Sequence, residues 1–397
     1  TDLSGADRSR AKACLPHHSG FLLKILILHA SAGEGHRRAA IAVESALIRS
    51  GVSQADVQVA DALDFGSPFF KKSYVDFYYW FIKYLPVMWG VFYALLDHPI
   101  VYRVFYPVRR VYNAWHGRKL LKHVFESKPD WIICTHFFSA ELLGHAKASG
   151  KNIGHLLVLV TDFHPVRVWM HSGIDSYWVL SEDAKQTLIQ RGVDGGQVIA
   201  GGFPILPEFQ KTGDRNSILK KYQFDSGRLT ILLTTGSFGL GEQERILDGL
   251  ASLQDKVQCF VVCGRNQSLF ESLKSKKYVY PVQVFGFVDF MSELMDASDL
   301  MVAKPGGATT AEAMAKGVPM IATGAIPGQE TENLKFLLKE KAVFSAETPE
   351  EIICVIASVV GDSNLLNEKR RVCERICNPR AAEDLAQARF KLVSAHD

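Results

Sequence analysis

No stretch of this 397-residue chain is both long enough to cross a bilayer and free of charge. The nearest is 74–96, YVDFYYWFIKYLPVMWGVFYALL, which carries Asp76, Lys83 and Pro86. A span would leave both charges in hydrocarbon at about 2.5–3.5 kcal/mol each. Pro86 would also break the helix in mid-run. A transmembrane segment is therefore not expected. A strong charge of one sign is missing too: the net charge is +3, which makes no electrostatic case for nucleic acid. Cysteine is scarce and odd in number, at seven. Cys259, Cys263 and Cys354 sit in apolar runs, so free buried thiols of a cytosolic protein are expected instead of a disulfide framework. Cys373 and Cys377 have no second ligand pair nearby, so no metal site is expected. Residues 1–20 lack the apolar core of a signal peptide and read as a polar tail. The dinucleotide fingerprint is absent as well: after Gly33 and Gly35, Arg38 stands where GxGxxG needs a small residue.

What is present is a strand–helix alternation that occurs twice. LLKILILHA, from residue 22, reads as a strand, followed by the turn SAGEGH and the helix RRAAIAVESALIRSG. Further strands are expected at VQVADAL, PDWIICTHF, HLLVLVTDF, SYWVLS and QVIAGGFPI. After Gly201, Gly202, Pro204 and Pro207 the pattern restarts with LTILLTTG, then VQCFVVCG, VQVFGF, DLMVAK and VPMIATG. Two doubly wound parallel-sheet α/β domains follow from this alternation, with a ligand held between them at the carboxyl ends of the strands. The expected division is a tail at 1–20, a first domain at 21–205 and a second at 206–378. The first domain carries an insertion at 65–125, and a last helix at 379–397 returns toward it.

Three loops carry chemistry. In Gly33-Glu34-Gly35-His36 the glycines allow a ligand close to backbone, and a helix N-terminus follows. His36 is either an exposed turn residue or a cleft-facing base or phosphate contact. In KPGGATTAEAMAKG, Gly306, Gly307, Thr309 and Thr310 suit a phosphate or ribose. Glu312 is either a first-turn capping carboxylate or an acceptor for two ribose hydroxyls. TTGSFGLG supplies Gly236, Ser237, Phe238 and Gly239 as a diphosphate loop, and the backbone at Phe287 and Val288 could pair with a base. Arg265 is a candidate extra cation, and Gln329, Glu330 and Asn333 form a polar cluster suited to sugar hydroxyls.

GEGH, FVDFM, KPGG-x-T-x-x-E, GVPMI and PGQE-x-x-N occur here in the order of a known family. From about residue 23 to 390 the chain resembles the diacylglycerol glycosyltransferases. These are the monogalactosyldiacylglycerol synthases and the bacterial processive glucosyltransferases, related to the N-acetylglucosaminyltransferase of lipid I. The resemblance implies a GT-B fold, a UDP-glucose or UDP-galactose donor, inversion, no cofactor and no active-site metal. It implies Glu312 at the ribose, Phe287 and Val288 at the uracil, and Gly236, Ser237 and Gly239 at the diphosphate. Gln329, Glu330 and Asn333 would hold the donor sugar, and Gly33 and Gly35 the acceptor loop. Two departures stand out. Glu34 replaces the middle glycine of the plant members, and Ser31 stands where they carry an Asp, so a base role for that position does not transfer. Weight moves to His36, with Asp162 and His164 in reserve.

Residues 65–115 hold 18 of the 42 aromatics, and residues 67–128 hold ten Lys and Arg against three acids. Cations around an aromatic face suit an in-plane anchor on an anionic membrane. Tyr78, Trp80, Phe81, Trp89 and Phe92 are its expected contacts with the membrane or the acceptor lipid. The expected protein is a peripheral enzyme on the cytoplasmic face of a membrane. It would transfer a hexose from a UDP-sugar to diacylglycerol or another lipid acceptor. A polyprenyl-linked acceptor, a UDP-sugar epimerase on the same fold and a non-catalytic binding protein remain as alternatives.

Overall fold

The computed structural model describes residues 23–210, 212–234 and 242–393. The first sheet contains β1 (Ile25–His29), β2 (Val57–Asp61), β3 (Trp131–Cys134), β4 (His155–Leu159), β5 (Ser176–Val179) and β6 (Val198–Ala200). Its strands are all parallel, in the order β2-β1-β3-β4-β5-β6. Every residue of β1, β3 and β5 is buried. Helices cover both faces of such a sheet, which is why these strands read as unbroken apolar runs without alternation.

The second sheet contains β7 (Leu229–Thr234), β8 (Val257–Val262), β9 (Val282–Phe285), β10 (Leu300–Ala303), β11 (Met320–Ala322) and β12 (Val343–Ser345). It too is parallel, in the order β12-β11-β10-β7-β8-β9. The edge strand β12 is an addition to the expected set. Only Val343 of its three residues is buried, so no apolar run announces it.

Helix α1 (Glu34–Arg49) leaves the end of β1 and turns its Ala and Val face into the core. One continuous core joins the two sheets, running from Ile25, Ala39 and Val43 to Phe260, Met301 and Ala311. The helix Ala381–Val393 packs on α1. Asn378 Nδ2 donates to the Gly201 carbonyl at 2.8 Å, tying the end of the chain to the linker.

The insertion is a set of four helices, α2 (Pro68–Tyr84), α3 (Pro86–Asp97), α4 (Pro99–His116) and α5 (Arg118–Ser127). Proline opens the first three, where its missing N–H has no partner to lose. Ser67 caps α2 through the Phe70 N–H at 3.0 Å. Pro86 ends the run at Tyr84 and bends α3 away by 117°. Among the described residues no single helix is long and apolar enough to cross a membrane, and only this bent pair qualifies jointly by length and composition. Cys134, Cys259, Cys263, Cys354, Cys373 and Cys377 are free. Cys354, expected inside, is exposed on the outer face of the helix Pro349–Gly361.

Candidate active site

In each sheet the chain reverses its direction of travel once, between β1 and β3 and between β7 and β10. Loops diverge at such a point and leave a crevice at the strand ends. The first crevice is lined by the α1 N-terminus and the loops after β3 and β4. The second is lined by the loop after β10 and the helix Gly307–Ala315. The two crevices meet. A Cβ on Gly35 would lie 4.0 Å from Ala308, and one on Gly307 would lie 2.6 Å from the Thr161 carbonyl. Gly307 is therefore needed for the approach of the two domains.

His36 is buried, which excludes the exposed-turn reading. Its Nδ1 lies 2.7 Å from the Thr135 carbonyl and 3.0 Å from Thr161 Oγ1. A carbonyl only accepts, so Nδ1 carries the proton and Nε2 keeps the lone pair. Burial pushes the imidazole down to about 4, against the raising effect of the Thr135 bond. A base of that strength is poorly matched to neutral pH. Gly33, at φ 146°, caps α1 without a side chain and keeps the turn open beside His36. Ser31 Oγ donates to Asp61 at 2.6 Å, so this departure from the plant pattern is anchored structurally.

Asp162 lies just past β4 and is 8% exposed. Burial pushes its carboxyl up to about 6, with Glu330 adding to the rise and the Trp169 N–H bond at 3.3 Å opposing it. A carboxyl at that value can take a proton near neutrality. His164 is instead engaged elsewhere: its Nε2 lies 3.3 Å from Arg191 and 3.7 Å from Asp97. Asp97 ends α3 and accepts both Arg191 Nη groups, at 2.6 and 2.8 Å, and the Arg167 N–H. Burial would raise Asp97, but the bonds from His164, Arg191 and Arg167 hold it near 2. His164 thus takes part in the joint that fastens the insertion to the first domain, and its charge also lowers the Asp162 carboxyl.

Across the cleft, the helix carrying Glu312 begins at Gly307 and has no side-chain cap. Its first N–H groups are thus left to a ligand. Glu312 is consequently its sixth residue, beyond the reach of a capping role. It is buried and held by Arg38 Nη1 at 2.6 and 2.9 Å. Burial raises this carboxyl to about 7, although Arg38 pulls it down. Arg38 comes from α1, so the carboxylate expected at the ribose is bridged to the opposite domain. A second cross-cleft pair joins Glu34 to Arg265 at 3.4 Å, and Arg265 also lies over the Phe287 ring at 5.6 Å. Phe287 is 70% exposed and Val288 half-buried, so the strand end is open. Thr309 is half-buried, and the Thr310 hydroxyl is buried with no partner among the described residues. Gly236, Ser237, Phe238 and Gly239 lie outside the described residues.

Gln329, Glu330 and Asn333 fall on one helix, Gln329–Lys339, whose N-cap Gly328 has φ 100°. Glu330 Oε2 accepts the Ile326 N–H at 2.8 Å, while its Oε1 faces Gly306. Burial raises this carboxyl, and Ile326 and Lys304 oppose the rise. The Asn333 amide is used at both ends, accepting from Phe163 N at 3.0 Å and donating to the Pro305 carbonyl at 3.1 Å. Asn333 therefore bridges the two domains. Among the described residues no group of three or more His, Cys, Asp or Glu could hold a metal ion.

Residues 36–205 match the family model described as monogalactosyldiacylglycerol (MGDG) synthase, and 230–347 match the glycosyltransferase family 28 C-terminal domain. The processive diacylglycerol beta-glucosyltransferase of Bacillus licheniformis is 30% identical over 350 residues, covering 87% of this chain and 89% of the relative. That of Bacillus thuringiensis is 30% identical over 377 residues, covering 91% and 92%. The chain belongs to the diacylglycerol glycosyltransferases. MurG of Acinetobacter baumannii superposes with a TM-score of 0.60 at 14% identity, over 93% of this chain and 99% of that one. HepE of Anabaena, in complex with UDP, superposes with a TM-score of 0.57 at 15% identity, over 94% and 100%. The fold is GT-B, with two Rossmann-like domains facing across a cleft.

The insertion of this glycosyltransferase forms one wall of that cleft. Trp80 and Phe92 are exposed, whereas Tyr78, Phe81 and Trp89 are half-buried. A Cβ on Gly90 would lie 2.7 Å from Pro327, in the loop before Gln329. Three residues about the cleft were not singled out from the sequence as site residues: Arg38 on α1, Trp169 after β4, and Tyr93, one aromatic among the 18 of residues 65–115. No local signal marks them, because each acquires its role from a partner on another element.

Proposed function

We propose that this glycosyltransferase moves a hexose from a UDP-hexose to the free hydroxyl of diacylglycerol, with inversion, while resting on a membrane surface. Asp162 carries the reading. It is a buried carboxyl tuned to about 6, with Glu330 and the phenols of Tyr78 and Tyr93 in its electrostatic neighbourhood. It therefore stands between the lipid-side insertion and the donor-side helix.

Inversion is a single in-line displacement at the anomeric carbon. The acceptor hydroxyl passes its proton to Asp162 as its oxygen bonds to that carbon. The bond to the diphosphate breaks, and UDP leaves with the electron pair. The uncapped N-terminus of Gly307–Ala315 offers N–H groups to the departing charge. Lys304, in the loop leading into that helix, and Arg265 add positive charge on this side of the site. Glu312 receives the ribose hydroxyls once Arg38 yields, and Gln329 and Glu330 hold the hexose. The neutral His36 lines the acceptor side with Gly33 and Gly35.

The membrane part of the proposal rests on where apolar surface is left uncovered. Of 21 exposed large hydrophobic side chains among the described residues, 18 lie between 69 and 125. A patch confined to one helical insertion, with basic residues around it, suits an anionic lipid surface. The free thiols support its cytoplasmic side. The test is incubation with UDP-glucose, UDP-galactose or UDP-N-acetylglucosamine and diacylglycerol vesicles, with mass spectrometry of the lipids. A hexosyl-diacylglycerol is the expected product. Failure with every donor would overturn the assignment, and transfer of N-acetylglucosamine alone would overturn the hexose donor while keeping the lipid acceptor.

A further inference from the structure

We infer that Trp89 and Tyr93, on the cleft side of α3, form a hydroxyl-reading pair that binds a hexose directly and sets which sugar the site accepts. The two residues are one helical turn apart, which places them on the same face of the helix. The Trp89 Nε1 and Tyr93 OH atoms are both buried, and neither has a hydrogen-bond partner among the described residues. Native structures rarely leave buried polar groups unpartnered, and two together mark a place where something else completes the bonding.

Both side chains pack against the donor-side loop. A Cβ on Gly328 would lie 3.0 Å from Tyr93 Cγ and 3.4 Å from Trp89 Nε1. Gly328 immediately precedes Gln329 and Glu330, the polar pair proposed for the hexose. Tyr93 is also within electrostatic reach of Asp162, Asp97 and Glu332. Tyr78 packs edge-on against Trp89 at 5.3 Å and holds the indole in place.

The chemistry of the pair is specific. An indole N–H only donates, whereas a phenol both donates and accepts. Rigid aromatic bodies with polar tips suit a sugar, which presents hydroxyls at its edge and C–H groups on its face. α3 thus serves the reaction from its inner face, while the outer face carries the exposed Phe92.

Hexose hydroxyls could come from the UDP-hexose or from a hexose already on the lipid. The inference rests on the proposed transferase reading, so its test includes an arm that needs no turnover. Tyr93→Phe removes one oxygen that bonds nothing in the free protein, so its melting temperature should equal or exceed that of the wild type. Titration calorimetry then compares UDP with UDP-glucose. A loss of about tenfold for UDP-glucose and none for UDP assigns the pair to the donor hexose. If instead KM rises about tenfold for monohexosyl-diacylglycerol but not for diacylglycerol, the pair reads the acceptor hexose. Trp89→Phe should follow the same pattern. Equal losses for UDP and UDP-glucose, a lowered melting temperature, or wild-type values in every arm would overturn the inference. Should the wild type transfer nothing to diacylglycerol, the calorimetric arm still decides on the pair.

Discussion

Turnover should rise with pH along a limb centred near 6, because Asp162 must be ionised to receive the acceptor proton. On the acid side of that limb each pH unit removes about nine-tenths of the remaining carboxylate, so kcat/KM should fall about tenfold per unit. Asp162→Asn abolishes the base and should lower kcat by about a hundredfold or more. The same variant has an opposite effect on stability. Raising a carboxyl from its ordinary 3.8 to about 6 costs the ionised folded state about 3 kcal/mol at neutral pH. Because the folded value lies above the unfolded one, there is no such cost below about 4; stability is lost as pH rises from there through about 6. Asn stays neutral, so the variant should melt above the wild type near neutrality and lose that advantage in acid. The assay pairs initial rates of glycolipid formation from labelled UDP-hexose with melting curves, both followed across the limb at constant ionic strength. Trp169→Phe should move the limb to higher pH, since the lost N–H favoured the carboxylate. A limb near 4 would return the base to His36, and an active Asp162→Asn would remove Asp162 from the role.

UDP affinity should weaken as pH falls through about 7, because protonated Glu312 no longer receives two ribose hydroxyls. Glu312→Gln should bind UDP about tenfold more weakly in mild alkali and lose this pH dependence, while Arg38→Met should shift the midpoint upward; calorimetry reads all three. Gly307→Ala puts a methyl 2.6 Å from the Thr161 carbonyl and should cost about 1–3 kcal/mol, seen as a lower melting temperature. An unchanged melting temperature would show that the domains part freely there. Trp80→Ser with Phe92→Ser should reduce sedimentation with anionic vesicles and leave the melting temperature intact, since both side chains are exposed. Phe70→Ala, in contrast, opens the core and should cost about 3–5 kcal/mol.

Much of this enzyme is legible without coordinates, for identifiable reasons. Strands buried on both faces must be apolar throughout, so ILILH, WIIC, HLLVL and LTILLT announce themselves. Turns that bring backbone to a ligand need glycine, so the GEGH and KPGG loops stand out at strand ends. Pro86, placed where it can only open a helix, rules out a straight span. The edge strand VFS escaped because a half-exposed strand of three residues has no such constraint.

Local chemistry dictates which residue types stand at the cleft, and it leaves their roles open. A histidine in a glycine turn looks like a base in any sequence. Only packing against Thr135, Thr161 and His136 desolvates His36 and lowers its affinity for the proton. An aspartate after a strand looks ordinary until burial, with Glu330 adding to it, raises Asp162 to about 6 against the opposing Trp169 N–H bond. Asn333, a natural sugar ligand by type, also bonds two backbone groups distant in the chain and so bridges the domains. Arg38 meets Glu312 across 274 positions of sequence. Desolvation and pairing act through space, between elements that chain order keeps apart. The fold is therefore written in local patterns, while the identity of the base, the latch on the ribose site and the inner face of α3 depend on how the two domains close.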